Sequence, residues 1–278
     1  MIGLLVLGQF FAPQALTVQA ADSSVPIYVT FVTHNEQPDS GRYPDFEHDE
    51  NAFWEYREGL VAYADMLHDE GVEYNWQSAW NFLLAATKYD KGTSSTNGKN
   101  IVRYLQEDLG FSVNVHGHPS TYNEADVAYL IDALGAAPSG IMGGFVAAPA
   151  SESELEQYRE TIHGNVYSYT WTPTALWGAA SPGHQYDDDV MASGVWRPID
   201  NSNFLDHTDV SSLPVIGGFS SDWDGLETLL AKQAAGTLNT GVMHTVSIMV
   251  DQDEMLTSSE RDAIRTKIAA LQDEEAAG

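Results

Sequence analysis

The sequence predicts an α/β protein, a single β/α barrel of seven or eight strands in incomplete or distorted form. Short β-branched and aromatic runs alternate with apolar residues at helical spacing along nearly the whole chain. No linker-like stretch divides it, and 278 residues fit one large domain, here 22–278. The polar residues richest in chemistry follow the carboxyl ends of apparent strands, where barrel sites form. A doubly wound open sheet is the competing arrangement.

Residues 1–21 carry the apolar run Ile2-Gly3-Leu4-Leu5-Val6-Leu7 and end in small residues, so an export signal or N-terminal extension is expected there. The alternative is a short hydrophobic strand or helix packed on the domain. Pro13 and its polar followers interrupt any membrane span. Pro26 to Thr33 is rich in β-formers and reads as a central strand. Phe53, Tyr56, Leu60, Tyr63 and Leu67 then give a helix over Glu50 to His68 one apolar face. Val72 to Trp76 is a strand, Ser78 to Thr87 a helix, and Gly98 to Leu109 another helix before Gly110.

In Phe111 to Pro119, Val113 and Val115 point one way while Asn114, His116 and His118 point the other. The alternation continues with a helix over Glu124 to Leu134, a strand over Ser139 to Val146, and a helix capped by Ser151 and Glu154. Asn165 to Trp171 reads as a strand, and Thr172 to Asp189 as a long surface excursion ending in Asp187-Asp188-Asp189. Gly194 to Pro198 and Leu213 to Phe219 are strands, Trp223 to Ala235 is a helix, and Met243 to Val250 is the last strand. Thr257 and Glu260 cap a terminal helix carrying Ile264, Ile268 and Leu271.

Forty acidic residues against twelve basic ones give a formal charge of −28. Such a surface repels phosphate backbones, which argues against a nucleic-acid partner. Seven Trp, thirteen Tyr and ten Phe argue for a packed core rather than disorder. An acidic, lysine-poor composition fits a high-salt environment, where screening weakens self-repulsion. The absence of cysteine excludes disulfides and sulfur-ligated metal.

His116 and His118 share one strand face and can deliver two imidazoles to a divalent ion, zinc foremost. His34 follows the first long strand as a third ligand, and Glu36 beside it is a ligand or general base. Locally hydrogen-bonded histidines are the plainer alternative. His244 is a candidate acid on the last strand. Asp222 is a candidate orienting carboxylate, with Asp224 the plainer helix cap. Arg197 can stabilise developing negative charge. Trp76, Trp171, Trp196 and Trp223 offer faces for sugar rings, although such aromatics usually pack in cores. His163, His184 and His207 sit in less ordered polar contexts. Gly143-Gly144 and Gly217-Gly218 permit close backbone approach near a ligand.

Together these residues resemble the polysaccharide deacetylase-like superfamily, whose distant relatives include barrel-type glycoside hydrolases. Thr33-His34-Asn35-Glu36 occupies the place of that family's paired aspartates, and His116-x-His118-Pro119 resembles its histidine motif. Trp196-Arg197-Pro198, Asp222-Trp223 and Met243-His244 are similar to its Arg-Pro, acidic-aromatic and late histidine motifs. The resemblance implies an incomplete β/α barrel and a metal-dependent carbohydrate deacetylase or related hydrolase acting on a polysaccharide, secreted or periplasmic. His34-Asn35-Glu36-Gln37-Pro38 also resembles the His-Gln-Pro region of a related glycosidase family, so a glycoside hydrolase with Glu36 and Asp222 as paired carboxylates is the first alternative. A nonenzymatic carbohydrate-binding protein is the second.

Overall fold

The computed structural model of the chain describes residues 16–18, 25–38, 42–118, 120–145, 152–177, 193–218 and 223–277. Most of the expected export segment lies outside these, as do Pro119, Ser151, His184, the Asp187–Asp189 run and Asp222. Among the described residues the fold is mixed α/β. Eleven strands are present: β1 (Leu16–Val18), β2 (Ile27–Asn35), β3 (Tyr74–Ser78), β4 (Ser112–His116), β5 (Ile141–Gly143), β6 (Ile162–His163), β7 (Thr170–Trp171), β8 (Ala175–Trp177), β9 (Val195–Trp196), β10 (Val215–Ile216) and β11 (His244–Met249). Seven α-helices accompany them: α1 (Glu50–Asp69), α2 (Trp80–Tyr89), α3 (Ile101–Arg103), α4 (Glu124–Ala133), α5 (Glu152–Gln157), α6 (Trp223–Ala234) and α7 (Ser258–Ala277).

Nine strands form one sheet, in the order β2-β3-β4-β5-β8-β10-β9 with β11 parallel to β2 and β1 antiparallel along its first residues. The pairs from β11 through β10 are parallel, whereas β9 is antiparallel to β10. Strand register sorts the side chains into two sets. Phe31, Tyr74, Trp76, Val113, Val115, Met142, Leu176, Val215, Val246 and Ile248 fall on one face and are buried in the hydrophobic core. Helices cover that face: Tyr63 of α1 meets Tyr74 at 5.4 Å, Phe82 of α2 meets Trp76 at 5.6 Å, and Trp223 of α6 meets Phe31 at 5.8 Å. The other face carries His34, Asn75, Gln77, Asn114, His116, Thr245 and Ser247, and these polar residues are buried as well.

Contacts across the polar face join distant parts of the strand order. Trp177 Nε1 on β8 donates to Ser247 Oγ on β11 at 2.8 Å. Thr245 Oγ1 donates to the Gly217 carbonyl at 2.6 Å, and Ser247 N to the Gly218 carbonyl at 3.1 Å. The second Gly-Gly pair thus offers its carbonyls to β11.

Three expectations are corrected. The strand expected over Asn165 to Trp171 shrinks to Thr170–Trp171, which pairs with β6 in a separate two-stranded sheet. The reason is Asp126, whose carboxylate accepts the N–H groups of Asn165 (3.0 Å), Val166 (3.0 Å) and Tyr167 (2.8 Å) and so holds that backbone out of any ladder. Ala175–Trp177, within the expected excursion, is instead a strand of the main sheet, too short for alternation to reveal. The helix expected up to Leu109 begins as α3 and widens into a π-helix over Tyr104–Asp108.

Candidate metal centre

β2 and β4 lie either side of β3, and their carboxyl ends deliver the site. In register, His34 stands beside Gln77, Gln77 beside Asn114, and His116 beside Gly143. A parallel sheet puts such partners on one face, so His34 and His116 converge over β3 with ring centroids 4.3 Å apart. Glu36 is the first residue past the Asn35 end of β2, where Gln252 Oε1 accepts its backbone N–H at 2.8 Å. This turns its carboxylate toward β4. Glu36 Oε1 lies 3.2 Å from His116 Nε2 and Oε2 lies 3.0 Å from His118 Nε2, while the two Nε2 atoms are 2.9 Å apart. His34, Glu36 and His116 each offer a ligand atom within 4.8 Å of the others.

The electrostatics favour a cation at the centre. Burial alone raises the Glu36 carboxyl pKa, but hydrogen bonds to His116 and His118 prevail and hold it far below the usual carboxylate range. Burial lowers the His116 pKa, outweighing the opposite pull of Glu36. An ionised carboxylate therefore faces an imidazole kept neutral. His116 Nε2 has two close neighbours, yet a neutral ring carries one proton at most. Ligands around a tetrahedral zinc ion stand about 3.3 Å apart at ordinary bond lengths, close to these separations. Nitrogen and carboxylate donors at strand ends fit a borderline divalent ion.

Glycines make this packing possible. A Cβ on Gly143 would lie 1.4 Å from Gln77 Oε1, so the amide of Gln77 occupies the room the glycine leaves. Gly144, at φ +83°, sits against the His116 ring, where a Cβ would fall 2.9 Å from Cε1. A Cβ on Gly117 would lie 3.0 Å from Glu124 Oε1. The expected close approach at Gly143-Gly144 is thus made to site side chains. Gln77 is fully buried, and neither end of its amide has a hydrogen-bond partner among the described residues.

His34, Glu36, His116 and His118 are brought together as expected. The remaining described candidates are not. His244 opens β11 in register with Ile27, seven residues before His34 on β2 and about 23 Å from it at the rise of a parallel strand. Its Nε2 lies 2.8 Å from the Asn239 carbonyl. Arg197 follows the carboxyl end of antiparallel β9, which lies beside the amino end of β10 at the opposite strand edge. Trp76 is fully buried under α2. Trp171 and Trp196 are buried and donate to the Ser139 and Phe204 carbonyls at 2.8 and 2.6 Å. Trp223 packs on Phe31 beneath Lys267, whose Nζ is 4.8 Å from its ring. Burial of their broad faces against the core removes Trp76, Trp171 and Trp196 from substrate contact, whereas part-buried Trp223 lies on the helix-covered face of the sheet, in the wall of a separate cavity with Met249 and Lys267. Asp222 lies outside the described residues.

Sequence reasoning missed other neighbours. Trp80 stacks on Tyr122 (4.9 Å, 23°) and donates to Gln37 Oε1 at 3.4 Å, directly after Glu36. Tyr167 continues the row at 6.2 Å from Tyr122 and stacks on Tyr129 at 4.1 Å. A cavity of about 520 Å³ opens beside His118, with the buried carboxyl of Glu124 in its wall. Nothing in the local sequence distinguishes Glu124 from an ordinary first-turn helix acid. Compared with protein-family models, curated proteins and solved structures, the chain matches none.

Proposed function

We propose that this chain is a divalent-metal-dependent hydrolase acting on an acyl group carried by a carbohydrate, built on a closed β/α barrel. The observation that carries the reading is the group His34, Glu36 and His116, two buried imidazoles and a part-buried carboxylate, with ligand atoms within 4.8 Å at the carboxyl ends of two parallel strands that flank β3. Barrel closure is supported by the hydrogen bonds from β11 to Gly217, Gly218 and Trp177. A buried polar face with an apolar outer face is what a curled sheet would enclose.

His34, Glu36 and His116 would hold the ion, with His118, expected as a further ligand, beside them at the cavity. A bound divalent ion of this class polarises a carbonyl and makes water acidic enough to attack near neutrality. Glu36, held ionised by the imidazoles, places negative charge at the cation site. His118, with its side chain 32% exposed at the cavity, is the described group placed to pass a proton at Nε2 to a leaving oxygen or nitrogen. It takes the role first assigned to His244. The row Trp80, Tyr122 and Tyr167 supports a carbohydrate partner, since aromatic faces stack on the apolar sides of sugar rings.

The test is acetate release from acetylated oligosaccharides by the metal-loaded protein. Activity should fall about a thousandfold or more in the His116→Ala, His118→Ala double variant. Equal acetate release by that variant, at matched folding, would overturn the assignment.

A further inference from the structure

The cavity beside His118 is lined by His118, Ser120, Asn123, Glu124, Gln157, Tyr158, Glu160, Thr161, Ile162 and Asn165 and measures about 520 Å³. That suits a ligand of one or two sugar-sized units. Its charge is one-sided. Glu124 and Glu160 contribute carboxylates, and the described lining holds no lysine or arginine. The nearest arginine in sequence, Arg159, is turned away: its guanidinium donates to Glu156 Oε1 at 2.6 Å and to the Pro198 and Ile199 carbonyls at 2.8 and 2.9 Å.

Glu124 is the most constrained member. It is more than nine-tenths buried, opens α4, and packs against the backbone of Gly117 between the two site histidines. Tyr158 OH donates to its Oε1 at 3.0 Å. A buried carboxylate costs several kcal/mol in lost hydration unless donors replace the water. Tyr158 supplies one donor, and the cavity lies open to others.

We infer that this cleft is a subsite for a donor-rich, non-anionic ligand, with Glu124 as its specificity-determining residue. The donors are sugar hydroxyls or the ammonium of an amino sugar, and carboxylated or phosphorylated chains are rejected. This deepens the hydrolase reading, resting on it only for the statement that the occupant is part of the substrate.

The test is calorimetric titration of the full chain at low salt with three tetrasaccharides: neutral cellotetraose, fully amine-bearing tetraglucosamine with its amines protonated, and anionic tetragalacturonate. Binding of cellotetraose points to hydroxyl recognition, binding of tetraglucosamine alone points to the ammonium, and either upholds the subsite while tetragalacturonate stays unbound. Glu124→Gln should weaken the ammonium ligand about tenfold or more, as expected for a charge-assisted hydrogen bond, and the neutral one about threefold. The exposed Gln157→Lys variant disturbs no buried group and should improve tetragalacturonate binding about fivefold or more. Absence of binding by every probe, tetragalacturonate binding as tightly as the others, or unchanged affinities in both variants would each overturn the inference. Repeating the titrations after chelation, alongside metal analysis, separates the two readings. Binding by a protein that never held metal upholds the cleft and removes the hydrolase.

Discussion

Gly143 and Gly144 set the positions of two side chains on which the site depends. With alanine at 143, the new methyl would fall 1.4 Å from Gln77 Oε1, so Gln77 must leave the space between His34 and Asn114. Gly143→Ala should destabilise the fold by about 1–3 kcal/mol and weaken metal binding about tenfold or more. Thermal unfolding and metal titration read the two effects, and unchanged affinity would show that Gln77 does not shape the site. The His116 imidazole gives a pH signature. It is packed with His34, Glu36 and His118, and burial keeps its pKa below the ordinary 6.5. The folded chain then binds fewer protons than the unfolded one, so this stability is complete above pH 6.5 and lost as pH falls through the folded value. Glu36 adds a loss of the same sign, which starts only below its ordinary 4.5. Chelator-treated protein should therefore lose thermal stability on acidification from about pH 7.5 to 5; a rising melting temperature would contradict this. At this scale the sequence was legible wherever a strand's period of two decided the outcome, as for Asn114 and His116, while His118 lies just past the end of β4. It failed for His244 and the tryptophans, because the strand end and sheet face they occupy are set by register with other strands.

Elements around the cleft owe their shape to a few polar anchors. Asn123 and Asp126 cap α4 reciprocally, and the same Asp126 carboxylate gathers the N–H groups of residues 165, 166 and 167. The hairpin of β6 and β7 is thereby held against α4, with Ile162 and Asn165 in the cavity wall. Asp126→Ala leaves several part-buried donors without their acceptor and should cost about 2 kcal/mol. Hydrogen exchange should quicken at residues 165–167 while β2, β3 and β4 keep their protection; uniform loss of protection would show that Asp126 supports the whole fold instead. Long elements with strong periodicity, such as α1 and β2, were readable within a residue or two of their observed ends. The short strands β6 and β8 were not, since pairing partners rather than local preference create them, whereas β9 and β10 fall inside the strands expected over Gly194 to Pro198 and Leu213 to Phe219.

The molecule as a whole carries −28 formal charges, which repel one another in the compact state. Its melting temperature should therefore rise as sodium chloride is raised from about 0.05 to 1 M, where the Debye length shrinks to about 3 Å; insensitivity to salt would show that the acidic surface costs the fold little. The repeating strand-helix pattern made the mixed α/β class legible, because each strand and covering helix must bury its own apolar face. It could not reveal that the opposite sheet face is both polar and buried, since alternation alone reads as solvent exposure. That hidden face leads to the carboxyl ends where His34, Glu36, His116 and His118 meet, and the central claim is that the first three hold one divalent ion. The most direct test is elemental mass spectrometry of the purified chain after dialysis against zinc. About one ion per chain, lost when His116 becomes alanine, is the result expected; a chain that retains no ion, or one whose ion is untouched by that substitution, would contradict it.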